Sequence, residues 1–549
     1  MNSPDFSFSP LFTALLRKRG FTDPEKIHVF FSAGLPSLQD PFQMKGMPEA
    51  VELVREAVRG RKPVLVHGDY DVDGVTGTAL MSRVLAALGA DFSTFLPHRS
   101  EDGYGVSARA IQNGHQKGVK LLITVDCGIT AHEQIALARS LGMDVIVIDH
   151  HRVPENGLPP ASVILNPRQD DCAYAFKELS AAGLVFRLAE ALLGPQSFDF
   201  LDLAALSTVC DVAPLIEENR VVVKYGLELL GKRANPGLCA LSSAAGIKSQ
   251  VFNTGHLGFS LGPRINAAGR MSSPEIALRL LLTESLKEAE SLASVLEEEN
   301  KARQKEEKEV LKEAVAEVER TVNFNRDRVI VAAREGWHPG VIGIVAARLV
   351  EQFHRPAVVI ALEKGKGKGS GRSIKGFHLF NALESCKTLF EEFGGHEQAA
   401  GLSILSENIS AFRLRVNGHA REQYDSSVFE KKIPMDLEIS FQDLSAGFVR
   451  ELKLFEPHGM GNPRPAFFTR GLEIKSKPQI LWAQTVQFWL TDGVRTLEAL
   501  WNDRSQKGVS GFEKGNQVDL IYSLKTKIWN GQESLVLEVK QMTPVSASS

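Results

Sequence analysis

The chain has few cysteines and no arrangement of them that suggests a framework. The five (Cys127, Cys172, Cys210, Cys239 and Cys386) form no C-x-x-C pair in 549 residues. A disulfide scaffold and a thiolate zinc site are therefore excluded, and buried thiols in a reducing cytosol are expected. No apolar run is long enough to span a membrane. The amino-terminal MNSPDFSFSPLFTALLRKRG lacks the basic start and long apolar stretch of a signal peptide. The expected location is the cytoplasm, with no membrane partner. Excess positive charge is missing too: the formal net charge is −3, so any nucleic-acid binding must rest on local patches. The P-loop order G-x-x-x-x-G-K-[ST] is also absent from the Lys/Gly-rich run at 364–373. What remains is an ordinary globular composition, 43% hydrophobic and 23% charged. Its length implies about three or four domains.

Acidic and histidine side chains stand at the ends of three successive apolar segments. PVLVHG (63–68) runs into Asp69-Tyr-Asp71-Val-Asp73-Gly74, KLLITVD (120–126) ends in Asp126, and DVIVIDHH (144–151) ends in Asp149-His150-His151. Each segment reads as a short buried strand, and the stretches between them read as helices. That alternation predicts a parallel sheet whose functional groups collect at the carboxyl ends of its strands. A single strand-end Asp often serves only as a turn former or helix cap; the convergence of all these groups is what argues for a site. Asp71 and Asp73 stand two apart, so an extended backbone would direct both carboxylates to one side, together with His67. Asp211, after LAALSTVC (203–210) and before Ala213-Pro214, supplies a further carboxylate. Asp71, Asp73, Asp126 and Asp211 together would balance two dications. Two such ions roughly 3.5–4 Å apart can hold both oxygens of an in-line phosphoryl displacement. Oxygen and imidazole donors without thiolates favour Mn²⁺ or Mg²⁺, two ions per site.

Six motifs in order, HGDYDVDGVTGTAL (67–80), PHRSEDGYG (97–105), TVDCG (124–128), IDHH (148–151), LGPRINAAGR (261–270) and GGHEQAAG (394–401), resemble the DHH phosphoesterase superfamily. Within it they resemble the RecJ family of single-stranded-DNA-specific exonucleases, and the match runs along nearly the whole chain. The resemblance implies metal ligation by His67, Asp71, Asp73, Asp126, His150 and Asp211, with Asp126 or Asp73 bridging and Asp69 outside the ligand set. It places His151 at the scissile phosphate, stabilising charge in the transition state, with Asp149 orienting one of the two histidines. Arg99 and Arg270 would touch substrate from the catalytic side. Ser370, Arg372, Ser373 and His396 would do so from a second domain across a cleft.

The expected fold class is α/β: a parallel-sheet DHH catalytic core, a second α/β domain joined by a long helix, and a C-terminal OB-like β-barrel. The domains are read as an N-terminal helical extension (1–45), the catalytic domain (46–283), a connecting helix (284–320), a substrate-binding domain (321–425) and the barrel (426–549). The extension reads as short helices with an extended Asp-Pro-Phe link. In the connector, Leu292, Val295, Leu296, Val310, Leu311, Ala314, Val315 and Val318 form a partial apolar stripe, and the charge run EEENKARQKEEKE reads as a solvated face. The run Lys364-Gly-Lys366-Gly-Lys368-Gly-Ser370-Gly-Arg372-Ser373 reads as a loop whose backbone N–H groups can approach phosphate. Arg264 flanks the Ile-Asn-Ala-Ala-Gly turn as a further cation. In the barrel, Asp492-Gly493 and Asn530-Gly531 signal turns. Trp482, Trp489, Trp501 and Trp529, with Lys475, Lys477, Lys525 and Lys527, offer stacking and charge for bases and phosphates, one or two of the tryptophans facing the strand.

The expected activity is metal-dependent hydrolysis of single-stranded DNA from 5′ to 3′ into 5′-mononucleotides, in repair and recombination. A helicase and a single-strand-binding protein are the candidate protein partners of a monomer. The alternatives are a DHH phosphoesterase of short oligonucleotides or cyclic dinucleotides, separable by the dependence of rate on length, and a non-catalytic single-strand-binding scaffold.

Overall fold

A computed structural model describes residues 8–98, 103, 105–481, 485–502, 511–529 and 532–545. Arg99, Trp482 and the Asn530-Gly531 turn lie outside the described residues, as does the side chain of Trp529. The chain packs as two compact units. The first comprises chiefly Gly20–Lys301 together with Arg450–Arg464, and the second Ser9–Arg19, Ala302–Val449 and the chain from Pro465.

The first unit is built on five parallel strands, β1 (Val64–Gly68), β2 (Phe92–Phe95), β3 (Leu121–Val125), β4 (Asp144–Ile148) and β5 (Val163–Leu165), in the order β2-β1-β3-β4-β5. The order reverses between β1 and β3, the place where open α/β sheets hold their ligands. β1 and β3 are buried along their whole length. Val64, Val66, Ile123 and Val125 serve the core on one face, and Leu65 and Leu122 the other, which is why these strands read as unbroken apolar runs. α1 (Val72–Ala87) follows β1 and is buried on nearly all sides. Four further helices matter to the site: α2 (Ala108–Gln116), α3 (Ala181–Leu193), α4 (Leu201–Cys210) and α5 (Gly262–Met271). The segment 450–464 also belongs to this unit. The Arg220 guanidinium donates to the carbonyls of Leu454 (2.7 Å) and Phe455 (2.8 Å), and Leu215 N donates to Met460 O at 2.7 Å. Asp40-Pro41-Phe42, expected to be extended, instead enters a 3₁₀ turn over Pro41–Gln43, because the Asp40 carboxylate accepts from Phe42 N.

α6 (Leu286–Thr321) is the long helix, 36 residues and so about 54 Å. Its stripe is buried at Leu292, Leu296, Val310, Ala314 and Val318, while Val295 is exposed. The charge run is not wholly solvated, since Asn300 and Arg303 are buried and Arg303 pairs with Glu307 at 2.7 Å.

In the second unit, β6 (Ile330–Glu335), β7 (Ala357–Glu363), β8 (Lys366–Arg372), β9 (Phe390–Gly395) and β10 (Ala399–Leu405) form a sheet in the order β6-β7-β8-β10-β9, with α7 (Ile342–Phe353) between β6 and β7. The Lys/Gly run expected as a loop is therefore a strand inside a sheet. Its turn, Lys364-Gly365, has positive φ at both residues (50° and 82°), the geometry of a two-residue hairpin. The glycines are needed for packing. A Cβ at Gly367 would lie 2.6 Å from Ile360, at Gly369 2.7 Å from Leu402 and at Gly371 2.8 Å from Leu379. Lys366, Lys368, Ser370 and Arg372 alternate with them and take the opposite face.

The carboxyl-terminal strands β11 (Leu437–Glu438), β12 (Phe467–Ile474), β13 (Gln479–Ile480), β14 (Thr485–Thr491), β15 (Thr496–Asn502), β16 (Gln517–Trp529) and β17 (Gln532–Pro544) form one sheet. A β12–β14 pairing closes five of them into a barrel, the OB architecture expected. Trp489 is 41% exposed, whereas Trp501 packs edge-on against Phe512 at 5.7 Å. Three of the four barrel lysines pair with glutamates: Lys475 with Glu473, Lys525 with Glu538 and Lys527 with Glu498.

Candidate metal centre and active site

The loop leaving β1 turns sharply. A Cβ at Gly74 would sit 2.4 Å from Asp69 O, so only glycine lets α1 start so close beneath the loop. Asp71 caps α1, its Oδ1 accepting from Asp73 N (2.8 Å) and Gly74 N (3.2 Å). Only the first of the two is on extended backbone as expected: Asp71, the cap, has φ −89° and ψ −175°, whereas Asp73 lies in the first helical turn. Both carboxylates still join the site. Asp73, 2% exposed, points at the start of α3. Its Oδ2 accepts from Ala181 N (2.8 Å) and its Oδ1 from Ala182 N (2.8 Å) and Ser207 Oγ (2.6 Å). The positive end of α3 thus carries part of the cost of a buried carboxylate.

Asp126 ends β3 with φ +62°, an uncommon conformation for a non-glycine residue and one that recurs where function holds it. Asp211 ends α4 and is followed by Val212 at φ +60°. His150 stands among these acids. Its Nε2 is 3.3 Å from Asp126 Oδ1 and 3.7 Å from Asp73 Oδ2, and its Nδ1 is 3.7 Å from Asp211 Oδ2. Side-chain donor atoms converge in three overlapping groups: Asp69, Asp71 and Asp126; Asp73, His150 and Asp211; and Asp126, His150 and His151.

His67 does not join them. Its Nε2 accepts from Ser107 N at 3.0 Å, its Nδ1 faces Cys127 Sγ at 3.9 Å, and its ring lies 5.0 Å from that of Phe95. Its Nε2 lone pair is engaged by the backbone N–H at the start of α2. Asp69, expected outside the ligand set, takes the place beside Asp71 and Asp126.

The electrostatics describe a centre built for cations. Burial, then the charges of Asp73, Asp71 and Asp69, hold the Asp126 carboxyl well above the usual carboxylate range. Burial and Asp73 raise Asp71, and the same causes with Asp71 push Asp211 up to about 8. Burial, only partly opposed by Asp73, lowers His150 and favours the neutral imidazole that a metal ion requires. For His151, burial works downward, but the hydrogen bond and charge of Asp149 prevail and bring it up to about 9. Asp149 Oδ1 meets His151 Nδ1 at 2.7 Å and accepts from His151 N at 3.0 Å, and its Oδ2 accepts from Ile129 N at 2.9 Å. Of the two histidines, Asp149 therefore orients His151. The thiol of Cys127 is pushed up by burial and by Asp69, so it stays protonated. Hard oxygens and one neutral imidazole fit Mn²⁺ or Mg²⁺.

The remaining expected residues divide. Arg270 is carried by α5, the helix against the acid loop, whereas Arg264 is held by Glu297 (2.6 Å) and Ser260 O (2.7 Å). In the second unit Arg372 donates to Ser370 Oγ at 3.2 Å, and a Cβ at Gly343 on α7 would come within 3.1 Å of both side chains. The Ser373 hydroxyl donates to Phe377 O (2.7 Å), and His396 is exposed in the β9–β10 turn. Asn266 and Ser207, unnoticed in the sequence, bind the acid loop and Asp73 respectively.

Residues 63–208 match the DHH family N-terminal domain, 326–422 the DHHA1 domain and 435–541 the RecJ OB domain. The chain is 36% identical over 543 residues to the single-stranded-DNA-specific exonuclease RecJ of Bacillus subtilis, covering 97% of this chain and 68% of that one. It is 33% identical over 569 residues to the Escherichia coli protein of the same name, covering 98% and 96%. Its fold matches the crystal structure of RecJ in complex with Mn²⁺ from Thermus thermophilus, with a TM-score of 0.83 and 32% identity over 98% of this chain and 76% of that one. A Mg²⁺ complex from the same source matches with a TM-score of 0.76 and 30% identity, covering 98% and 75%.

Proposed function

The chain belongs to the RecJ family of single-stranded-DNA-specific exonucleases, and from that premise we propose that it removes 5′-mononucleotides from single-stranded DNA, from 5′ to 3′, in repair and recombination. It is a metal-dependent hydrolase, and Mn²⁺ or Mg²⁺ is its cofactor. The observation that carries the reading is the meeting of two donor groups around Asp126, which belongs to the first and stands 3.3 Å from the imidazole of the second. Asp69, Asp71 and Asp126 would hold one ion, and Asp73, His150 and Asp211 the other. Bound ions of this kind lower the pKa of a water and polarise a phosphoryl oxygen.

The chain's own residues supply the rest. Charged through Asp149, His151 offers the ring nitrogen that Asp149 does not hold to a phosphoryl oxygen gaining charge. Asp73, held by three donors, keeps its carboxylate fixed. Arg270, Ser370, Arg372, Ser373 and His396, with Arg99, are the groups proposed to bind the strand end. The exposed face of Trp489 is proposed to stack a base further along. No helix of the described residues is long and apolar enough to cross a membrane. We place the reaction in the cytoplasm, carried out by a monomer whose substrate is prepared by a helicase and a single-strand-binding protein.

Single-stranded DNA labelled at one end or the other, incubated with the purified protein and Mn²⁺ or EDTA, tests this. Immediate release of labelled mononucleotide from the 5′ label alone, abolished by EDTA, is expected. Release from the 3′ label overturns the polarity, and cleavage confined to very short oligomers overturns the substrate.

A further inference from the structure

Helix α1 begins between two of the candidate ligands, and its first backbone donors are all accounted for. Asp73 N and Gly74 N are taken by the Asp71 side chain, and Val75 N by Asp71 O. The N–H of Val72, which lies between Asp71 and Asp73, is out of the cap's reach. It donates instead to Asn266 Oδ1 at 3.1 Å, a residue 194 positions away on α5. One turn along the same helix, Gly269 lies so close to the acid loop that a Cβ there would stand 2.6 Å from Tyr70 O. Helix α5 therefore touches the loop twice, at Tyr70 and at Val72. These two residues are interleaved with Asp69, Asp71 and Asp73.

We infer that Asn266 is a positioning residue for the metal centre: it fixes the peptide between Asp71 and Asp73, and Gly269 lets α5 come close enough for it to do so. The inference rests on the metal-centre reading above. Water ordinarily satisfies an N–H at the start of a helix, but Val72 is buried, so this one needs a protein acceptor. The acceptor it has lies on the helix that also touches Tyr70, which fixes the peptide between the two ligands. Such outer partners of metal ligands typically change affinity about 10–100-fold when removed.

The test measures Mn²⁺ binding by electron paramagnetic resonance of the free ion, alongside melting in EDTA. The wild type, N266A, N266D and G269A are compared as full chains. N266A is expected to bind Mn²⁺ at least about tenfold more weakly, to melt in EDTA within a few degrees of wild type, and to regain hydrolysis at high Mn²⁺. N266D keeps an acceptor oxygen at the same reach and is expected to bind more tightly than N266A. G269A, whose Cβ displaces the loop, is expected to share the N266A defect. Wild-type Mn²⁺ affinity in N266A overturns the inference, as does a loss of hydrolysis that high Mn²⁺ does not restore. Absence of Mn²⁺ binding by the wild type itself instead overturns the metal-centre reading.

Discussion

His151 and Asp211 set how the centre answers to pH. The His151 pKa is raised from 6.5 to about 9 in the folded protein, so the stability it contributes is full below about 6.5 and is lost as pH rises through 9. Asp211 is raised from 3.8 to about 8, so the folded state retains a proton that the unfolded chain has released, and stability again falls as pH rises toward 8. Both effects have the same sign. The metal-free protein is expected to melt at steadily lower temperature from pH 6 to pH 9, and Mn²⁺ to remove most of that slope. Asp211→Asn should raise the metal-free midpoint at pH 8 by roughly 2–4 °C, about 1 kcal/mol, while abolishing hydrolysis; a lower midpoint would show that crowding of carboxylates is not what the site relieves with metal. Much of the convergence was readable because a buried parallel strand must put its polar residues at its end, which placed Asp126, Asp149 and His150. The choice between His67 and Asp69 was not readable. Both flank the end of β1, and only the turn forced by Gly74 and the Ser107 N–H on His67 decide which joins the donor group of Asp71 and Asp126.

At the scale of elements, β8 shows where local composition misleads. Lys and Gly in alternation read as a loop open to phosphate, yet Gly367, Gly369 and Gly371 are the small side of a packed strand, and only the apolar residues of β7 and β10 reveal that. Gly369→Ala is expected to destabilise the fold by roughly 1–3 kcal/mol through its clash with Leu402, measured by thermal melting. The barrel offers a paired prediction. Trp489→Ala should weaken binding of long single strands by about 1–3 kcal/mol with little change in melting. Trp501→Ala should instead lower the melting temperature, because Trp501 packs against Phe512 and Phe488. Equal effects of the two on binding would remove Trp489 as a stacking surface. The barrel's strands were visible in the sequence through their alternation; which tryptophan faces outward depends on barrel closure, a pairing of β12 with β14 that no local pattern contains.

At the scale of the whole molecule, all six acids and imidazoles of the two donor groups lie in one unit, within Gly20–Lys301. Ligand binding stabilises only what it binds, by about 2.7 kcal/mol at a hundred times the dissociation constant. Calorimetry in EDTA and in Mn²⁺ should therefore show one transition moving upward and the other standing still; two transitions moving together would mean that the units unfold as one. The sequence assigned the whole of 426–549 to the barrel. It did not show that 450–464 returns to the first unit, since the carbonyls that Arg220 grips at Leu454 and Phe455 carry no sequence signal. The same distant reach gives helix α5 a wider meaning. It grips the acid loop through Asn266 and Gly269 and carries Arg270 on the next residue. A strand end drawn to Arg270 and ions drawn to the loop would then act on one lever, and by thermodynamic reciprocity each must change the affinity for the other by the same factor. The apparent affinity for Mn²⁺ would then be a property of the protein together with the DNA it holds.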